Sequence, residues 1–473
     1  MAYDKFIGLC LFAFAANSIF AAGGVYNCRN FGAKGDGVSI DTSAIQKAVD
    51  AAAKDGGGVV RLEGGKFISG TIYLKDNVGL EILPSATLKA TTDPSVYNAD
   101  DYCPQNSVIK KEHASGAHLI SAVEVKNVSI FGGGEIDGSG LDFWFQVEGN
   151  KELKYPSKFK YPKWRPAQML FFCESENVSV RDVRLLNAPF WTSFFHGCKN
   201  VFITRLLIKN DPRGHNNDGI DIDSCSNVVV SDCIIETEDD ALTLRAGTSR
   251  LKNKNAACED VVVSNCVLQS TCNGIRIGVG TGAIRRCSIN NVVIKKSFQG
   301  ISFIGAYHSK GGVDISDINI SNVSVYASRP LNMMSDSFNW GKAGGTSSIG
   351  NVAFSNCVFS GTRTSIIAAN LHKNIFGVAF KNCDFVMSGG SLICKNPVPI
   401  KTMDDWRKVK CTSDALIVLH AKDISFDACR LLLRGKNSPW TNAVRTVNVD
   451  NCRIRKPAAS EYESRNRGIR RRS

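Results

Sequence analysis

Asn227-Val228-Val229-Val230-Ser231-Asp232-Cys233 is answered by Asp260-Val261-Val262-Val263-Ser264-Asn265-Cys266 and again by Asn351-Val352-Ala353-Phe354-Ser355-Asn356-Cys357. The six-residue offset from the first to the last member of each stretch recurs outward in both directions. From Asn127, Asn177, Asn200, Arg286, Asp317, Gly377, Asp423 and Thr446, the residue six positions on is Gly133, Val183, Leu206, Val292, Val323, Cys383, Cys429 and Cys452. Small apolar or thiol side chains fill this column, and the starting points lie mostly 23 to 34 residues apart. A period of that size is the signature of a solenoid.

The strand alphabet selects the solenoid. Each unit holds two or three runs of four to five residues rich in Val, Ile and Phe, alternating apolar with polar and separated by Gly, Asn, Asp or Ser. No unit contains a stretch with helical periodicity, which excludes leucine-rich and helical repeats. The expected fold is all-β, a single-stranded right-handed parallel β-helix of roughly ten or more coils, each laid on the one below at about 4.8 Å. The six-offset column is then an interior ladder. A second ladder lies two positions before each start: Cys198, Cys225, Cys258, Ile284, Ile315 and Ile349.

Residues 6–22 form an apolar stretch after Lys5 that ends in small residues, as in a secretory signal peptide cleaved near Ala22. The alternative for this stretch is a membrane anchor, and no other stretch is apolar enough to span a bilayer. The expected organisation is a signal peptide at 1–22, a β-helical domain at 23–452 and a basic disordered tail at 453–473, in a secreted or periplasmic monomer that leaves the membrane once the signal is removed. The tail carries eight Lys or Arg and two Glu, so it supplies +6 of the net charge of +13. It reads either as a solvated end or as an electrostatic tether to an anionic polysaccharide or surface. Nucleic acid is a poor partner for an exported solenoid in which aromatic and basic residues are not interleaved on one motif.

Seventeen cysteines in an exported chain suggest a disulfide framework. Nine of them occupy the two ladders, however, where Val, Leu and Ile replace them freely, so they read as small hydrophobes. Bridges remain open among Cys28, Cys103, Cys394 and Cys411. No Cys-x-x-Cys or His-x-x-x-His spacing points to a metal, and no cofactor is expected.

An open β-helix end would template further strands, so a cap is required. Residues 41–54, from Asp41 through an Ala-rich amphipathic run that stops at Gly56-Gly57-Gly58, read as that cap in helical form. Two stretches break the repeat: 97–116, and 139–166 with Phe143, Trp144, Phe145, Tyr155, Phe159, Tyr161 and Trp164. Such aromatics either stack on sugar rings or pack the loop onto its own coil.

A second offset locates the chemistry. Thirteen residues after Asn227, Asp260, Arg286 and Asp317 come Asp240, Asn273, Gln299 and Pro330, which should stack as one ladder. In the preceding coil Asn216-Asn217-Asp218-Gly219 arrives five residues late, after an inserted loop at 209–214, so Asp218 should lie one turn beneath Asp240, with Asp239 beside it. Three converging carboxylates repel one another unless they are compensated. They suit an inverting glycosidase, in which one carboxyl protonates the leaving oxygen and others activate water roughly 6.5 to 9.5 Å away. Like-charge neighbours would also hold one of them protonated near neutral pH.

This cluster and its surroundings resemble family 28 of the glycoside hydrolases, the polygalacturonases and rhamnogalacturonan hydrolases that cleave pectin. The resemblance covers roughly residues 26–360, through Asn30-Phe31-Gly32-Ala33-Lys34-Gly35-Asp36-Gly37, Gly134-Glu135-Ile136-Asp137-Gly138-Ser139-Gly140, Asn187-Ala188-Pro189-Phe190-Trp191, Asn216-Asn217-Asp218-Gly219 and Asp239-Asp240. It implies that Asp239 is the general acid, that Asp218 and Asp240 hold the attacking water, and that the substrate is an anionic pectic polysaccharide.

Two departures bear on specificity. Where the family carries Gly-His-Gly this chain has Cys272-Asn273-Gly274, and where it carries Arg-Ile-Lys this chain has Ser302-Phe303-Ile304. The missing groups support the acid and bind a substrate carboxylate. Substitutes in reach are Arg276, Arg245, Lys295, Lys296 and His308, with Arg276 preferred, although strand alternation could turn it out of the cleft. Asn216, Asn273, Arg276, Arg245 and Gln299 complete the expected substrate-binding set. The alternatives are a hydrolase of a different or less acidic polymer, a non-catalytic polysaccharide-binding relative, and a lyase or epimerase using calcium at Asp221, Asp223 and Glu238.

Overall fold

Asn227 has φ 56° and Asp232 has φ 59°, so the strand Ser226–Ser231 bends at both ends through the left-handed region. That conformation costs most L-residues about 1–2 kcal/mol but is tolerated by Asn and Asp. Every start of the six-residue motif except Thr446 has positive φ, and the residue before each interior Cys, Val or Leu from 183 to 429 does too. The motif is therefore one short strand between two bends. Stacked amides satisfy the first bend from coil to coil: Asn127 donates to Asn77 at 2.7 Å, Asn177 to Asn127 at 2.8 Å, Asn200 to Asn177 at 3.0 Å and Asn227 to Asn200 at 3.0 Å.

The computed structural model describes residues 23–152, 160–306, 311–337, 347–369, 373–388, 414–434, 440 and 442–455. Over these the chain is a right-handed parallel β-helix. One column of strands runs Ile120–Val123, Leu170–Cys173, Ser193–His196, Ile220–Asp223, Leu242–Ala246 and Asn273–Gly280, each paired in parallel with the next. The adjoining column runs Lys126–Phe131, Glu176–Arg181, Lys199–Thr204 and Ser226–Ser231 onto Cys258–Ser270. Val, Ile, Leu, Phe and Cys from every coil form one continuous interior core.

Thr42–Lys54 is the cap helix and buries Ile45, Ala48, Val49 and Ala52. Asp41 does not cap it by its side chain. Its carboxylate instead accepts the backbone N–H of Lys34 at 2.7 Å and of Gly35 at 2.9 Å, pinning the loop that leads into the helix.

The nine cysteines assigned to the ladders form no bridges, and all but Cys429 and Cys452, which are half-buried, are buried. Cys198, Cys225, Cys233, Cys258, Cys266, Cys357 and Cys383 are free and at most 1% exposed, and Cys28 and Cys103 are also free. Several turn the thiol back to the carbonyl two residues earlier, as Cys233 does to Ser231 at 3.2 Å and Cys266 to Ser264 at 3.2 Å. A weak donor that satisfies the bend explains why Cys alternates with Val here.

Four positions differ in register from the sequence reading. Cys452 stacks on Ile424 rather than on Cys429, and the bend that continues the Asp423 position is Asn451, which donates to Asp423 at 2.6 Å. Thr446 lies on Val418 and starts no motif. Gln299 faces Arg329 instead of Pro330, because the register shifts between Ile294 and Ser297. Val183 falls level with Gly134 rather than Gly133, since Arg184 pairs with Glu135.

The last strand, Asp450–Arg455, carries the β-helix three residues past the expected boundary at 452. The signal at 1–22, Tyr155, Phe159, His308, Cys394, Cys411 and tail residues 456–473 lie outside the described residues. Among the described residues no helix is long and apolar enough to cross a membrane.

Candidate active site

The register Ile220↔Leu242↔Ile275↔Ile301 puts Asp218, Asp240, Asn273 and Gln299 on successive coils at the start of one column, as the offsets required. Backbone contact fixes the first step, Gly219 N–H donating to the Asp240 carbonyl at 2.9 Å. Glycine is needed there because a Cβ on Gly219 would stand 2.4 Å from the Ala241 carbonyl oxygen.

The turn that presents the carboxylates is held from the next coil. The Asp239 carbonyl accepts the hydroxyls of Thr237 and Ser270, both at 2.6 Å, and the Glu238 carbonyl accepts the hydroxyl of Thr271 at 2.6 Å. The Asp239 carboxylate accepts its neighbour's backbone N–H at 3.0 Å and the Asn216 amide at 3.3 Å. Asp240 is 0% exposed and fully engaged: Asn273 Nδ2 donates to Oδ1 at 2.6 Å and Arg276 Nη1 to Oδ2 at 2.6 Å. Ser302 donates to Asn273 Oδ1 at 2.6 Å and lies 3.2 Å from Gln299 Oε1. Asp218 is 3% exposed and its Oδ1 has no partner.

Burial, with Asp240 and Glu238 adding to it and Arg276 opposing, pushes the Asp239 carboxyl well above the usual carboxylate range. Burial and then Asp239, Asp221 and Asp240 do the same to Asp218, against Arg245. Glu238 is raised to about 7, chiefly by burial, although the Asn216 N–H and Arg165 favour its charged form. Asp239, Asp218 and Glu238 are thus all pushed toward the neutral form, while Asp240 beside them is paired with a guanidinium and an amide, a contrast that suits acid–base chemistry on a glycosidic bond.

Arg276 faces this cluster, so strand alternation does not turn it away. Its charge is met by Asp240, however, just as Arg245 meets Asp221 at 3.3 Å and Asp223 at 3.7 Å and Lys295 meets Glu236 at 3.0 Å. Arg245 also lies 4.4 Å over Trp191, two residues along the cleft from Thr243, which pairs with Arg276. Lys296 is an exposed bend residue with φ 52°.

The calcium set is not assembled, since Arg245 occupies Asp221 and Asp223 while Glu238 turns to Asn216. Among the described residues Asp239, Asp240 and Cys272 bring ligand-type atoms within 4.8 Å of one another. Both Asp240 oxygens already accept Asn273 and Arg276, and the trio is a hydrogen-bonded cluster rather than a cation cage.

Sequence reasoning missed the group that ties the insertions to the site. Arg165 is fully buried between Trp144 at 4.9 Å and Phe190 at 4.7 Å. It donates to the carbonyls of Pro189, His215 and Glu112 at 2.8, 2.7 and 2.7 Å and approaches Asn216 Oδ1 at 3.4 Å. Insertion 97–116 thereby joins insertion 139–166 behind the Asn216 strap. Among the described aromatics of this insertion Phe143 and Trp144 are 1% exposed, Phe145 and Trp164 are half-buried, and Tyr161 remains 37% exposed beside Glu112, Glu238 and Asp239. Only the charged position within an aromatic run hinted at Arg165.

The family model described as Glycosyl hydrolases family 28 matches residues 79–260, which span Asp218, Asp239 and Asp240. A probable polygalacturonase of Vitis vinifera is 30% identical over 224 residues, covering 46% of this chain and 43% of that protein. An endo-polygalacturonase of Pectobacterium parmentieri is 30% identical over 229 residues, covering 46% of this chain and 54% of that protein. The chain thus spans about half the length of the curated relatives it matches. The solved family 28 exopolygalacturonase of Yersinia enterocolitica superposes with a TM-score of 0.67 at 18% identity over 93% of this chain and 80% of its own, a likeness of fold. The expected resemblance to glycoside hydrolase family 28 therefore holds over residues 79–260, with Asp218, Asp239 and Asp240 inside the match.

Proposed function

We propose that this chain is an exported glycoside hydrolase that cleaves O-glycosyl bonds of a pectin-like polysaccharide with inversion. In this reading Asp239 protonates the leaving oxygen while Asp218 and Asp240 hold the water that attacks from the opposite side. The observation that carries it is the parallel register that stacks Asp218 under Asp240, with Asp239 next to Asp240 in the same turn. The raised carboxyl of Asp239 supports its role as donor. The hydrogen bonds that Asn273 and Arg276 give to Asp240 support that residue as a carboxyl held in fixed orientation within the site. Pectic substrates are suggested by the names of the relatives, and export by the apolar stretch at 6–22.

A second reading concerns the sugar at the cleavage point. Arg276, Arg245 and Lys295 are each matched by a protein carboxylate, and Ser302 and Ile304 bring no charge to the cleft. A free uronate would have to compete with Asp240 for Arg276, which favours a neutral or esterified sugar there. Product analysis on polygalacturonate, its methyl ester and a rhamnogalacturonan backbone tests both readings. Faster turnover of the less acidic polymers is expected. Fast hydrolysis of plain polygalacturonate would overturn the second reading, and no hydrolysis of any of the three would overturn the first.

A further inference from the structure

Glu238 precedes the two aspartates in the presenting turn and has no part in the mechanism above. Its position is nevertheless fixed at two points. Glu238 Oε2 accepts the backbone N–H of Asn216 at 3.0 Å, and its own backbone N–H donates to Asn217 Oδ1 at 2.7 Å. Asn216 in turn gives its side-chain amide to Asp239 Oδ2 at 3.3 Å, so a single asparagine bridges the two carboxyls. The groups around Asp239 are Glu238 and Asp240 from its own turn, Asp218 and Asn216 from the coil below, Cys272 and Arg276 from the coil above, and Tyr161 from the aromatic insertion. Glu238 faces Asn216, Asp240, Arg165 and Tyr161.

We propose that Glu238 is a positioning residue for the proton donor: latched to the Asn216 strap, its carboxylate stands beside Asp239 and keeps the donor's proton in place through the neutral range. A negative neighbour penalises a second negative charge, so once Glu238 ionises, loss of the Asp239 proton is deferred to higher pH. Arg276 pulls in the opposite sense. The inference rests on Asp239 being the general acid.

The test compares wild type, Glu238→Gln and Glu238→Asp. Gln preserves shape and an acceptor for Asn216 but removes the charge, whereas Asp keeps the charge on a shorter stem. The pH dependence of kcat on whichever of the three pectic polymers wild type cleaves should show the basic limb of Glu238→Gln moved to lower pH by about one unit. KM should be unchanged, and Glu238→Asp should retain the wild-type limb. In parallel, pH-difference infrared spectra follow the protonated Asp239 carboxyl, identified by its loss in Asp239→Asn, and need no substrate. The infrared transition should move with the kinetic limb. An unmoved transition in Glu238→Gln overturns the proposal even if no polymer is cleaved. An infrared shift in an enzyme whose activity ignores Asp239→Asn upholds the electrostatic coupling and overturns the donor assignment.

Discussion

Removing the Arg276 guanidinium by Arg276→Met should destabilise the protein, because it strips a cation from a buried carboxylate. The pair is 2.6 Å long, with the Asp240 side chain 0% exposed and that of Arg276 11% exposed. Breaking a buried pair from one side costs about 3–5 kcal/mol. Asn273 remains on Asp240 Oδ1, and a charge-assisted hydrogen bond contributes about 1.5–3 kcal/mol, so the loss should fall to about 2 kcal/mol. Asp240→Asn alone leaves an amide facing the guanidinium and should also destabilise. The double variant Asp240→Asn with Arg276→Met removes both charges and should recover about 1–2 kcal/mol relative to the sum of the single changes. Urea unfolding of the four proteins at one pH and ionic strength gives the cycle. Additivity within about 0.3 kcal/mol would refute the claim that Asp240 neutralises Arg276. It would also remove the reason for expecting a less acidic sugar at the cleavage point.

Thiol titration of the denatured, non-reduced protein should find no fewer than fourteen free thiols, matching the described cysteines; a lower count means bridges where the β-helix interior has packed thiols. Cys233→Asp, which buries a charge among stacked side chains, should abolish soluble expression or lower stability by several kcal/mol, whereas Cys233→Val should be nearly neutral. Gly219→Ala should disrupt the stacking of Asp218 on Asp240, since the new Cβ would press on the Ala241 carbonyl, and circular dichroism melts should register the loss. Glu238 is raised to about 7 in the folded chain, so the folded state binds its proton more tightly than the unfolded state does. Its contribution to stability is full below about pH 4 and is lost as pH rises toward 7. Unfolding measured from pH 4 to 8 should decline less steeply in Glu238→Gln.

The repeat was legible because a bend, a strand and an interior thiol repeat at fixed spacing, and the left-handed φ values at Asn227 and Asp232 supply the reason. At Thr446, a strand residue that lies on Val418, the six-residue spacing to Cys452 recurs without a bend, so the sequence pattern misled by five residues, and the amide stacking of Asn451 on Asp423 marks the true position. Asp218 beneath Asp240 could be deduced by allowing for the loop at 209–214, since the Asp-Gly and Asn-Gly pairs repeat the same close backbone approach. The ion pairing of Arg276 could not, because it depends on a side chain reaching back across one coil to Asp240. Arg165 was hidden for a related reason: its partners Glu112, Pro189 and His215 come from three separate segments of the chain.

Proton donation by one carboxyl while two others hold the water is tested by following the anomeric configuration of the newly released sugar end by proton NMR, in wild type and in Asp239→Asn. Wild type should first release the inverted anomer, and Asp239→Asn should slow its appearance by roughly 10²–10⁴-fold with polysaccharide binding retained. First release of the retained anomer, or unchanged turnover in Asp239→Asn, would contradict it.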